Sequence, residues 1–239
     1  MNDYYNKVLD FENKLKEYSE TIFRVYGKEL VLRLEEYNLL QNKHNCIESS
    51  TATGFVLEEF LVSKLEMYTH CGDKSEYVID RFEEATVRKS FDCFCTKDGV
   101  RFLVNIKAEK KGSSKNNGVA AISQLYKNYC IDNPEVEKAY VILKVKYSIK
   151  DAYEDSYNRK AVPRHIYIDS MDSFCLEELD FSKGHQQDHR SWSISSNNKN
   201  GRLLINAKYR ENNRLPEDKI SYQNTFSMIN DMYNDVPDK

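Results

Sequence analysis

Along YYNKVLDFENKLKEYSETIFRVYG the apolar positions Val8, Leu9, Phe11, Leu15, Ile22 and Phe23 fall near a helical period, which predicts an amphipathic helix that Gly27 can end. KELVLRLEEYNLLQNKH carries a similar pattern and predicts a second helix, so that residues 1–48 form a helical hairpin. SSTATGFVLEEFLVSKLEMYTH opens with hydroxyl residues suited to an N-cap. It aligns Phe55, Leu57, Phe60, Leu61 and Leu65 on a further helix with Glu58 in its middle.

The period then shortens. YVID, KSFDCFCT and RFLVNIKAE predict strands, the last two joined by a turn at KDG. NNGVAAISQLYKNYC returns to helical spacing, and KAYVILKVKYSI is an apolar, β-branched run of the kind that forms a buried strand. RHIYIDS predicts one more strand and DSFCLEEL a short helix. SWSISSNNKNGRLLINAKY predicts a hairpin turning at Asn200 and Gly201, and the segment after Pro216 a last helix. The fold class expected is mixed α/β (α+β): a central mixed β-sheet flanked by helices, with an N-terminal helical hairpin and a C-terminal β-hairpin plus helix.

A chain of 239 residues, 40% of them apolar and 31% charged, has the composition of a folded globular domain, and we read it as one domain. No apolar run approaches the roughly 20 residues that span a bilayer, and MNDYYNKVLDFENK has no signal-like organisation, so a cytoplasmic protein without a membrane partner is expected. The six cysteines form no CxxC pair and are expected as free thiols; His44 with Cys46, His70 with Cys71, and Cys93 with Cys95 match no zinc spacing. The net charge of -3 conceals a basic strip: from Arg101 to Lys115 there are five Lys or Arg residues against one Glu, whereas CLEELD is acidic. No GxSxG, GxxxxGK[ST] or GxGxxG occurs, which argues against serine hydrolases, P-loop NTPases and Rossmann oxidoreductases.

Candidate chemistry concentrates in VNIKAEKKG. Alternation in a strand sets Asn105, Lys107 and Glu109 on one face, expected to be wet, and Val104, Ile106 and Ala108 on the other, expected to be core. Pairing across KDG would bring Asp92 close to Asn105 and Lys107. A carboxylate and an amide carbonyl suit a hard cation such as Mg²⁺, and an adjacent ammonium can orient water or stabilise charge building on phosphorus. A rival register, Glu109 with Lys111, keeps the same parity. Asn105 and Lys107 are preferred because they lie nearer the hairpin centre. The Gly54 to Glu58 spacing favours Glu58 over Glu59 on the preceding helix.

Spelled D-x12-N-x-K, with TGFVLE before and AISQLYKNY after, the stretch from Thr51 to Ser148 resembles the PD-(D/E)xK nuclease superfamily, most of all type II restriction endonucleases of the EcoRV/HincII-like branch. Two positions depart from the pattern: Asn105 replaces an acid and Phe91 replaces the Pro. The resemblance implies a restriction-endonuclease-like catalytic core at residues 51–148, with dimerisation through residues 1–48 and recognition elements in residues 149–239. It also implies Mg²⁺-dependent, sequence-specific hydrolysis of double-stranded DNA to 5′-phosphate and 3′-hydroxyl ends. Asp92 and Asn105 would bind metal, Lys107 would assist the water, and Glu58 would complete the shell. A homodimer on a palindromic site and a cognate DNA methyltransferase in the same system are the implied partners. Asn105→Asp is expected to retain or raise metal affinity. The alternatives are a non-catalytic DNA-binding protein on the same fold, or a repair or structure-specific nuclease of the superfamily.

Two polar stretches are candidate DNA contacts. KKGSSKNNG offers Lys110, Lys111 and Lys115 to phosphates, and Ser113, Ser114, Asn116 and Asn117 to base edges. KGHQQDHRSW offers Gln186, Gln187, His189 and Arg190, since Gln pairs with adenine and Arg with guanine.

Overall fold

In the computed structural model the described residues are 2–27, 29–32, 50–71, 75–82, 89–112, 118–151, 164–182, 190–192, 201–205 and 207–234. Helix α1 (Asp3–Tyr26) begins where the Asn2 side chain accepts a hydrogen bond from the Tyr5 N–H at 3.2 Å, and it stops at Gly27, whose φ of 87° leaves the helical region. Its buried stripe, Val8, Phe11, Leu15, Ile22 and Phe23, is the one the periodicity picks out, while Leu9 is exposed. Phe11 stacks on Phe102 of the sheet with ring centroids 4.2 Å apart, which docks the helix.

Helix α2 (Ser50–Cys71) lies beside α1 on the same face of the sheet. The expected second helix of an N-terminal hairpin is corrected at its start: Glu29–Leu32 is strand β1, paired antiparallel with the edge of β6 (Arg164–Cys175). The four residues ELVL satisfy either period, and the free edge of β6 supplies backbone partners that a solvated helical turn lacks. The rest of that segment lies outside the described residues.

The main sheet has the order β1-β6-β5-β3-β2. Strands β2 (Cys93–Lys97) and β3 (Val100–Lys110) form the expected hairpin, whose turn residues Asp98 and Gly99 have φ of 50° and 80°, the pair of positive values that a tight two-residue turn needs. YVID contributes only an isolated bridge from Asp80 to Phe94. After β3 the chain forms β4 (Gly118–Ala121), a single turn of helix α3 (Ile122–Leu125) and a π-helical turn over Tyr126–Ile131, and it returns as β5 (Glu137–Asp151), parallel to β3. Part of the segment expected as one helix is therefore strand. β6 runs on to Cys175, so the expected helix at DSFCLEEL shrinks to a single 3-10 turn at Leu176–Glu178.

A second, three-stranded sheet has the order β4-β8-β7, with β7 (Arg190–Trp192) and β8 (Gly201–Leu204) as the two arms of the expected C-terminal hairpin. Gly201 already pairs with Trp192 inside the strands; Asn200 lies outside the described residues. Helices α4 (Ala207–Asn212) and α5 (Tyr222–Asn234) complete this layer, with Tyr233 stacked on Tyr126 at 4.0 Å.

The central mixed sheet is thus covered on both faces. Val100, Phe102, Val104, Ile106 and Ala108 of β3 bury against α1 and α2, while Leu103, Tyr140 and Ile142 bury against β8, α3 and α5. The face of β3 expected to be wet is corrected accordingly: Asn105 is 3% exposed.

The second layer also encloses Glu177, from the stretch that reads as simply acidic. It accepts hydrogen bonds from the Tyr129 hydroxyl at 2.5 Å, the Tyr140 N–H at 3.1 and 3.2 Å, and the Cys175 thiol. Burial pushes its carboxyl from 4.5 up to about 7, against the pull of these donors. Burial likewise raises Glu12, Glu58 and Asp92. A carboxyl raised in the folded state stabilises it fully below the unfolded value and loses that contribution as pH climbs through the folded value. Stability should therefore fall between about pH 5 and about pH 8, with Glu177 alone accounting for on the order of 3 kcal/mol. Urea midpoints across this range measure the trend, and Glu177→Gln should flatten it.

Candidate active site

Strand β2 starts at Cys93, opposite Val104, and among the described residues no strand lies beside that edge of β3 beyond Val104. Two carboxyl groups continue the ladder. The Asp92 N–H still bonds the Val104 carbonyl at 2.8 Å, and the Asp92 Oδ2 then accepts from the Ile106 N–H at 2.7 Å. One step further, the Glu58 Oε1 on α2 accepts from the Ala108 N–H at 2.9 Å. The two side chains are thereby fastened to backbone donors on either side of Lys107.

α2 crosses β3 closely at Gly54, one turn before Glu58: a Cβ built there would stand 3.6 Å from the Cβ of Ala108, an ordinary contact that leaves room for a methyl group and for little more. Burial raises the pKa of both carboxyls. The Lys107 ammonium and the backbone donors oppose that shift in each, and Asp92 adds to it at Glu58.

Asp92, Asn105 and Lys107 line one cavity of about 310 Å³, together with Lys89, Gln124 and Arg202. Glu58 stands beside this cavity rather than in its wall. The two N–H groups on the Asn105 Nδ2 are shared among the Ser90 carbonyl at 2.7 Å, the Val119 carbonyl at 3.0 Å and the Tyr140 hydroxyl at 2.7 Å, leaving its Oδ1 buried without a hydrogen-bond partner. An orphaned amide oxygen next to a carboxylate is a hard donor set of the kind Mg²⁺ takes, so these residues fit that cation. Among the described residues only Asp92 and Glu58 bond to this edge of β3, and no three His, Cys, Asp or Glu side chains group as a metal site.

The rival pair is built differently. The Glu109 Oε2 lies 3.7 Å from the Lys144 Nζ, and Lys111 is exposed in the turn after β3, where its N–H bonds the Tyr147 carbonyl at 2.7 Å. Of the DNA-contact candidates, Lys110 ends β3, while Ser113, Ser114, Lys115, Asn116 and Asn117 lie outside the described residues, joining it to the Gly118 that lines the cavity. Gln186, Gln187 and His189 also lie outside; Arg190 opens β7 opposite Leu203. Of the zinc candidates that are described, Cys93 and Cys95 are buried and outside any disulfide, and His70 pairs with Asp80 at 2.9 Å; His44 and Cys46 lie outside the described residues.

Sequence reasoning missed Lys89, Gln124 and Arg202. AISQLYKNY held a signal for Gln124, a polar residue on an apolar turn, whereas Arg202 reaches the cavity only through the second sheet. No family model and no curated protein matches the chain. Among solved structures, one of a NlaIV restriction endonuclease shares 15% identity at a TM-score of 0.39, over 86% of this chain and 87% of that one. A TM-score at that level carries neither fold nor function across. No helix among the described residues is long and apolar enough to cross a membrane.

The amide donors of Asn105 alter the expectation for Asn105→Asp. A carboxylate there would face the Ser90 and Val119 carbonyls without a proton to offer them. The variant should lose about 2–3 kcal/mol of stability and gain no Mg²⁺ affinity, as thermal melts and calorimetric titration would report. Gly54→Ala should be tolerated, whereas Gly54→Leu should push α2 off β3, detach Glu58 and lower the melting temperature.

Proposed function

We propose that the protein is a Mg²⁺-dependent endonuclease that hydrolyses double-stranded DNA at specific sequences, leaving 5′-phosphate and 3′-hydroxyl ends. The observation that carries this reading is the clamping of Asp92 and Glu58 to the Ile106 and Ala108 N–H groups on either side of Lys107, beside the unpartnered Asn105 oxygen. Asp92 and Asn105 would hold the cation, which would supply Lewis acidity and neutralise charge on the phosphate. Lys107 orients the attacking water and stabilises the negative charge that accumulates on phosphorus. Glu58 keeps β3 in position and adds negative charge nearby. Lys89 and Arg202 present cations from the cavity wall to the DNA backbone.

A homodimer acting on a palindrome, with a methyltransferase protecting the host's own sites in the cytoplasm, completes the reading. A second reading, DNA binding without cleavage, draws on the neutral Asn105 in an acid's position. Long DNA incubated with Mg²⁺ or with EDTA, alongside Lys107→Ala, separates the two. Discrete bands that require both Mg²⁺ and Lys107 are expected, with DNA binding retained by the variant. Intact DNA that is nonetheless retarded on a gel would favour the non-catalytic protein, and equal cleavage by Lys107→Ala would overturn the assignment.

A further inference from the structure

Arg101, Leu103, Asn105 and Lys107 share one face of β3, and a second cavity, of about 300 Å³, opens at the Arg101 end. Four residues of strand set Arg101 about 13 Å from Asn105. Lys89 lines both cavities and so links them. Lys138 adds a third cation to the second cavity, and Asp132, whose Oδ2 accepts from the Asn128 Nδ2 at 2.9 Å, is its only carboxylate among the described residues.

These cations are built in rather than trailing in solvent. The Arg101 guanidinium lies 4.4 Å over the Phe94 ring, and its Nε is buried without a hydrogen-bond partner. Lys138 is 1% exposed; its Nζ donates to the Tyr129 carbonyl at 2.9 Å and the Asn133 carbonyl at 2.8 Å, which leaves one of the three donors of an ammonium. The Lys89 Nζ stands 4.6 Å over the Phe82 ring. Among the described residues no ion pair involves any of the three. Lys138 is a buried positive charge that makes no ion pair among the described residues, and a tetrahedral oxyanion would satisfy its remaining donor and the Arg101 Nε together.

We propose that this cavity receives a backbone phosphate of the nucleic acid whose scissile bond lies in the Asp92 and Lys107 cavity, which rests on the nuclease reading. Arg101 is the ligand with directional donors, and Lys138 and Lys89 supply charge.

Fluorescence anisotropy of a labelled duplex in EDTA, across a salt series, tests this without cleavage. Arg101→Gln should lower the slope of log affinity against log salt by about one, while Arg101→Lys, which keeps the charge, should retain it. Inorganic phosphate provides the second arm, read as a rise in melting temperature. Should phosphate stabilise the wild type but not Arg101→Gln while the salt slopes stay equal, the cavity binds the free anion and the nucleic-acid assignment is overturned. Equal slopes with no phosphate response overturn the anion site itself. A protein that ignores the duplex both in EDTA and, as Lys107→Ala, in Mg²⁺ overturns the nuclease reading together with this one, whereas a wild type that binds with an unaltered slope in Arg101→Gln overturns only the phosphate cavity. Misfolding of Arg101→Gln would leave Arg101→Lys and Lys138→Met to decide, the latter expected to lower the slope.

Discussion

The arrangement of the site depends on a sheet edge that runs out of partner. A strand left alone past Val104 would expose N–H groups that water or another backbone must satisfy. Here Asp92 and Glu58 satisfy those of Ile106 and Ala108. The bonds orient the carboxyls by the same geometry that holds the sheet, so their positions inherit the rigidity of β3, which is paired along its other edge with β5 over its whole length. Residues fixed in this way lose little further freedom when a ligand arrives.

A consequence is that electrostatics and packing at the site cannot be tuned separately. Asn105 sits under a complete second layer, and its amide hydrogens bridge three segments: the approach to β2, strand β4 and strand β5. An acid at this position would bring charge at the expense of those ties. The neutral residue is the version of the site that a doubly covered sheet accommodates, with Lys107 left to offset two carboxyls that burial pushes toward their neutral form.

How far the sequence was readable follows the range of the interactions. The β2-β3 hairpin, the β5 strand and most of the α1 and α2 stripes rest on local periodicity and turn chemistry; Leu57, Leu61 and Leu65 of α2 are buried as expected, whereas Phe55 and, on α1, Leu9 are exposed. Asp92, Asn105 and Lys107 came together because a hairpin fixes their separation over a short loop. The strand character of Glu29–Leu32 was hidden because it depends on the far edge of β6. The burial of Asn105 was hidden because β4, β8 and α5, which come later in the chain, build the layer over it. CLEELD read only as acidic because no local pattern announces that Tyr129 and Tyr140 will close over Glu177.

The carboxyl-capped edge also bears on how this chain avoids its own kind. An unpaired strand margin is a template for another molecule's backbone, and proteins usually guard it with lysines, prolines or a covering loop. In this chain the guards are the acids of the site. Exchanging both for residues that accept no hydrogen bond would do more than silence chemistry: it would uncover adjacent donors on a long, rigid, apolar strand and invite intermolecular pairing. A preparation of such a doubly altered chain would then be inert for a colloidal reason as well as a chemical one.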